Sequence, residues 1–257
     1  MRCRAPVLLF LSMRCAWCQD AAEQQQILSR IREAAIGYED RLQDFTCTQF
    51  TTRSAGRAGR DNQWKPLETQ ESDLSYVGHR EIYKLLKVDG DSKNPEKRVK
   101  RGYTKTSGEF GSVLKGIFAP KARAELTWDH VEASGQTCVV RYRVDEANSS
   151  LTFRAGSQKR VLAHHGTVYA DCATGMVTRI HFETDPDPGR PGGFSSDIVY
   201  GLSKIGSKEF LLPQSVEDIS SSSKTLTKIE IRFENYRKYD ADSAITFQGE
   251  AAAPDDK

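Results

Sequence analysis

His164-His165 is the one adjacent histidine pair in the chain, and paired imidazoles are what a metal site would use first. On a strand, neighbouring side chains point to opposite faces, so these two cannot share a metal without a bulge. Asp171 and Cys172 end the same segment. Cys172 beside either histidine would make a thiol–imidazole pair, but no nucleophile motif surrounds it. A thiol enzyme would need Cys172 exposed and its pKa low. Asp129-His130 reads as a satisfied strand pair, not an acid–base couple. Asp185 and Asp187 stand in a Pro/Gly run (DPDPGRPGG), where carboxylates serve turn chemistry. Gly189 to Gly193 lacks the Lys and the following helix of a phosphate loop. Ser220 to Ser223 reads as a turn. No catalytic residue, metal or cofactor is assigned.

Composition narrows the remaining classes. A hydrophobic fraction of 38% beside a charged fraction of 28% allows a thin core, the kind an alternating sheet builds. A net charge of +2 lacks the basic excess of a nucleic-acid binder. Arg2, Arg4 and the apolar run Ala5 to Met13, with small residues at Ala16 and Cys18, read as a signal peptide over 1–18, cleaved before Gln19. The run is too short to span a bilayer, and Arg14 and Trp17 spoil a lipoprotein box, so the expected product is periplasmic or secreted with no transmembrane segment. Cleavage removes three arginines and turns the charge from +2 to −1. It leaves Cys47, Cys138 and Cys172, enough for one disulfide and one free thiol, with every pairing open.

The elements that would carry a site are clearer. Asp20 with Glu23 opens a helix, and Ile27, Leu28, Ile31, Ala34, Ala35, Tyr38 and Leu42 form its apolar stripe, with Arg30, Arg32, Glu33, Glu39 and Arg41 outside. Alternation then predicts strands at 45–53, 67–77, 81–88, 126–132, 137–144, 151–154, 160–171, 176–184, 194–203, 209–219 and 225–239, with 245–247 able to close the sheet. Pro213 marks an edge or a bulge. The basic stretch 93–105 is a solvated loop, and 249–257 a disordered tail. Phe110, Val113, Leu114, Ile117 and Phe118 recur at helical spacing before Pro120. That short helix is either a core plug or a lid, and Gly108, Gly111 and Gly116 would weaken it by about 1 kcal/mol each relative to Ala. The fold class is α+β: a large curved antiparallel sheet, an unclosed β-barrel, wrapped on the N-terminal helix in one domain over 19–248. Its concave face would carry Ile180, Phe182, Ile229, Ile231 and Phe233 beneath the short helix, an apolar ligand-lining set.

The leading helix, the strand Asp44 to Gln49 and the D-x-x-T-G hairpin Asp171 to Gly175 followed by Val177-Thr178-Arg179-Ile180 resemble exported outer-membrane lipoprotein-sorting-like proteins, the LolA, LolB and RseB type. The closing segment Phe233 to Tyr239 is similar to that of uncharacterised exported proteins of the acidobacterial type. The resemblance covers 27–247 and implies an open barrel with helices over an apolar cavity, a non-enzymatic carrier, and a lipid or lipoprotein acyl chain as partner. The competing expectation is an envelope sensor or protein-interaction module that uses sheet edges and loops.

Overall fold

The computed structural model describes residues 16–57, 63–99, 107–155, 158–185, 192–221 and 225–240. Most of the expected signal segment, the 245–247 strand and the 249–257 tail lie outside these residues.

The helical stripe forms as expected, with a break. Helix α1 spans Ala16–Ile36 and α2 spans Tyr38–Arg41, separated at Gly37. The single helix expected to start at Asp20 and run to Leu42 is thus two segments, and Asp20 lies inside the first. Glycine is the weakest ordinary helix former, and the Arg41 guanidinium donates to the Ala34 carbonyl, which the break leaves free. The change of direction keeps Tyr38 in the core and turns Glu39 inward, where only 8% of it is exposed. This corrects its expected place on the outer face. Arg30 departs from that face too, and its Nη1 donates to the Cys172 and Ala173 carbonyls at 2.5 and 3.1 Å.

Ten strands form one antiparallel sheet: β1 Phe45–Arg57, β2 Lys65–Val77, β3 Arg80–Val88, β4 Glu125–Val131, β5 Thr137–Val144, β8 His164–Asp171, β9 Val177–Thr184, β10 Phe194–Ile205, β11 Lys208–Ser221 and β12 Thr225–Lys238. Their order is β3-β2-β1-β12-β11-β10-β9-β8-β5-β4, and the end strands β3 and β4 do not pair, so the barrel is open. Strands β6 (Thr152–Ala155) and β7 (Gln158–Val161) make a separate hairpin. The strand expected over 160–171 therefore divides at Leu162-Ala163 between two sheets. Pro213 sits at a bulge, where the register of β10 against β11 slips between Val199 and Tyr200. β12 pairs β11 only from Ser215 onward, so no ladder bond is lost at the proline. Helix α3 is Pro95–Arg98, and helix α4, the short greasy one, is Ser112–Phe118.

The registers order the concave face into rows. One row runs Val140, Val168, Ile180, Ile198, Val216, Ile231, Thr51, Gln70 across eight strands. The next runs Tyr142, Gly166, Phe182, Ser196, Asp218, Ile229, Arg53, Glu68. Ile27, Ile31, Ala35 and Tyr38 of the N-terminal helices, and Leu114, Ile117 and Phe118 of α4, share one core cluster with the apolar members of these rows.

The D-x-x-T-G motif proves to be an anchor. Asp171 Oδ1 accepts the Thr174 backbone N–H and hydroxyl, each at 2.7 Å, which holds its carboxyl below the usual range. Gly175 has φ +74°, and a Cβ there would lie 2.6 Å from the Arg30 carbonyl, so the turn touches α1 backbone to backbone. Cys172 is bonded to Cys138, closing a separation of 34 residues, while Cys47 is free and buried. This selects one of the three open pairings and overturns any nucleophilic role for Cys172. Burial drives the Cys47 thiol pKa up, so it is inert at neutral pH.

At the far end of the face, His164 is buried with its Nδ1 3.1 Å from the Tyr142 hydroxyl. Burial keeps that phenol protonated, so it donates to the neutral imidazole. Burial, then the neighbouring His165, push the His164 pKa from 6.5 down to about 4, with Asp185 opposing.

Two outcomes follow from these anchors. Cys172→Ser should cost about 3–4 kcal/mol in urea denaturation if the bridge acts by restricting the unfolded chain, and an unchanged midpoint would refute that role. For His164, the unfolded chain holds a proton below pH 6.5 that the folded chain gives up until about pH 4. Stability should be full above pH 6.5, fall by on the order of 2–3 kcal/mol as pH drops to 4, and level off below. His164→Gln should flatten that stretch of the urea-midpoint profile, and an identical slope in the variant would reject the assignment.

Candidate functional site

The concave face is the one place where the fold gathers an interior surface from many strands, and its two flanks differ. From β5 to β12 the inward positions are apolar for the most part: Val140, Val168, Ile180, Ile198, Val216 and Ile231 in the central row. Across β1 and β2 the same rows turn polar, with Gln49, Thr51, Arg53, Glu68, Gln70 and Ser72 all buried. Gln49 Nε2 donates to Thr51 Oγ1 at 2.9 Å, and Gln70 Nε2 donates to Glu68 Oε1 at 2.7 Å. Buried amides need such partners.

The expected lining residues come together. Phe110, Leu114, Ile117, Phe118, Ile180, Phe182, Ile229, Ile231 and Phe233 are buried in one cluster, with Val113 partly buried against it. Phe110 meets Phe45 and Phe233 at ring-centroid distances of 5.2 Å each. Helix α4 is tied to α2: Lys115 Nζ donates to Glu39 Oε2, and His79 Nδ1 lies 3.7 Å from the same oxygen. Gly111 has φ +131°, and a Cβ there would come within 2.2 Å of Glu39 Cγ. Its glycine is needed for this contact as well as for the start of the helix.

Beside this cluster lies a cavity of about 300 Å³, the lower end of the range for ligand pockets. It is lined by Ala34, Ala35, Tyr38, Arg41 and Leu42 from the N-terminal helical pieces, by Leu114 of α4, and by Met176, Val177, Glu209, Phe210 and Leu211 from the sheet side. Tyr38 donates to the Leu211 carbonyl at 2.9 Å and bridges the helical and sheet sides. Leu114 alone belongs to the lining set expected from the sequence. The helix-stripe residues were legible as apolar, but nothing in the sequence marks where a stripe stops touching the sheet. Met176 and Phe210 fall near the start of strands expected from alternation, which does not mark them as cavity walls.

The remaining chemical candidates are ion-paired or apart. His164 and His165 point to opposite faces, and His165 Nδ1 lies 2.9 Å from Asp185 Oδ1. Asp185 also takes two hydrogen bonds from Arg143, at 3.2 and 2.5 Å, which hold its carboxyl below the usual range. It is thus an ion-pair partner on the sheet surface and not a turn residue; Asp187 lies outside the described residues. Asp129 sits 3.5 Å from both His130 and Arg141. Among the described residues no group of three His, Cys, Asp or Glu could hold a metal ion, and no helix is long and apolar enough to cross a membrane.

No family model matches the chain, and no curated protein does. Two solved structures are similar to it. One is the LolA superfamily protein NE2245 from Nitrosomonas europaea, 10% identical, over 86% of this chain and 96% of that one, with a TM-score of 0.40. The other is a putative outer membrane lipoprotein-sorting protein domain from Vibrio parahaemolyticus, 11% identical, over 88% and 98%, with a TM-score of 0.35. Likeness at this level carries no functional argument.

Proposed function

We propose that the protein is an exported, non-enzymatic carrier or binding protein for lipid or acyl chains, periplasmic or secreted, acting as one unit over 19–248. The observation that carries this reading is the apolar cavity between the end of α1 and strands β9 and β11, lined also by Leu114 and continuous with a core cluster that spans an open barrel. An alkyl chain entering there passes directly beneath α4. Displacing Leu114, Ile117 and Phe118 would let it reach Ile180, Phe182, Ile229, Ile231 and Phe233, so α4 serves as the lid and these residues line the site. Kinship with lipoprotein-sorting-like proteins, including the acidobacterial type, is part of the same proposal and rests on the sequence motifs.

Burial of each methylene is worth about 0.8 kcal/mol, or about fourfold in affinity. Native mass spectrometry with organic extraction should find an acyl-chain lipid on protein expressed with its signal segment. A titration with alkyl maltosides of eight to fourteen carbons should tighten by about that factor per methylene until the cavity is full. Ala34→Trp, which fills the cavity from its helical wall, should weaken binding at least tenfold by the same area argument while leaving the urea midpoint near wild type. No bound lipid together with a flat chain-length series would end the carrier reading and favour an interaction module.

A further inference from the structure

We propose that Arg53, at the polar flank of the concave face, is the binding group for an oxyanion, phosphate or carboxylate, carried as the headgroup of the amphiphile. The inference rests on the carrier reading and names the class of ligand.

Arg53 is only 6% exposed, and its Nε, sealed from water, meets no hydrogen-bond acceptor among the described residues. A guanidinium taken out of water without a full set of acceptors is costly. Its place in the register sharpens the anomaly. Ile229 of β12 stands on one side of it and Glu68 of β2 on the other. Glu68 already accepts from Gln70 at 2.7 Å. Asp218 stands one strand beyond Ile229 on the same row, separated from Arg53 by that isoleucine. The surroundings otherwise are neutral hydrogen-bonding groups: Gln49, Thr51, Gln70 and Ser72, all buried on the same two strands. A forked cation set among amides and hydroxyls is suited to a planar or tetrahedral oxyanion. The rows supply the rest. Arg53's own row passes Ile229 to Asp218 and Ser196, but the adjacent row beyond Thr51 continues through Ile231, Val216, Ile198 and Ile180, so a headgroup at Arg53 lays its chain along that neighbouring apolar row. The two buried carboxylates on the row disfavour a small free anion. They leave the chain's burial to bring the headgroup in.

The test compares headgroups on one chain length, using the full protein freed of bound lipid. Dodecyl phosphate and laurate should bind about tenfold or more tighter than dodecyl maltoside, the margin expected of one charge-assisted hydrogen-bonded pair. Arg53→Met should erase that margin and leave dodecyl maltoside affinity unchanged. Inorganic phosphate and acetate should neither bind nor compete at millimolar concentration. Competition by either would show a site for the free anion and overturn the amphiphile assignment. Equal binding of charged and neutral headgroups by the wild type, which needs no variant to fold, would overturn the role of Arg53 alone. So would a preference that survives in Arg53→Met, which would leave the arginine a structural partner of Glu68 and Asp218. Failure of all three dodecyl compounds to bind would overturn the carrier reading with it.

Discussion

An open sheet leaves its concave face to be covered by something other than itself, and this constraint organises the molecule. β3 and β4 do not pair, so among the described residues no ladder of hydrogen bonds closes the barrel. Apolar burial by two helical pieces does it instead. Ile27, Ile31 and Tyr38 from the N-terminal segment, and Leu114, Ile117 and Phe118 from α4, are each worth about 1.5–3 kcal/mol when buried, as an upper estimate. Burial alone has no direction, and the helix is positioned by polar contacts along its length. Arg30 grips the 172–173 carbonyls, Tyr38 holds the Leu211 carbonyl, and Glu39 holds Lys115. The disulfide stiffens the turn on which the first of these depends.

The cavity lies where this cover thins. Ile27 and Ile31 fill the space under the second half of α1, whereas Ala34 and Ala35 near its end line the cavity with methyl groups. The break at Gly37 then starts a second helical piece whose Tyr38 and Arg41, with Leu42 after them, continue the cavity lining. Small side chains followed by a change of direction leave room that neither the sheet nor α4 fills. Glu39, just past the break, fastens α4 at the edge of the same space, so any shift of α4 acts on the cavity lining at Leu114.

The sheet was legible where its two faces contrast in polarity. Ile229, Ile231 and Phe233 alternate with charged residues, and β12 forms as the pattern demands. β1 shows the opposite case. Its inward positions include Gln49, Thr51 and Arg53, while the aromatic Phe50 faces outward beside Arg232, 6.0 Å from its ring. Polarity therefore points the wrong way along half the strand, and neither the polar flank nor the strand's extension to Arg57 could be read. Glu39 was misplaced for a different reason: helical periodicity holds only while the helix is unbroken, and past the break at Gly37 Glu39 is buried beside Tyr38. The cavity left no sequence trace, because its walls use the same residue types as the core. The disulfide was undecidable until the turn at 172 was seen to lie against β5.

The two flanks also differ in stiffness, and that difference bears on what each can recognise. β1 runs thirteen residues and is paired on both sides over nearly its whole length, to β2 and β12. Gln49 and Thr51 therefore stand on backbone held by two regular ladders, and Arg53 stands where the β1–β2 register slips before Ser54. Discrimination between headgroups needs that rigidity, since hydrogen-bond geometry must be held before the ligand arrives. The cavity is built from the last turn of α1, the seven-residue α4 and the ends of β9 and β11. Of these, α4 is the shortest, and it begins at a glycine of positive φ. Accommodation of alkyl chains calls for no fixed geometry, only apolar surface that can part and close. Under the proposed carrier reading, a polar group held on paired strands would select a guest by its head, and the apolar surface beside it would tolerate variety in its tail.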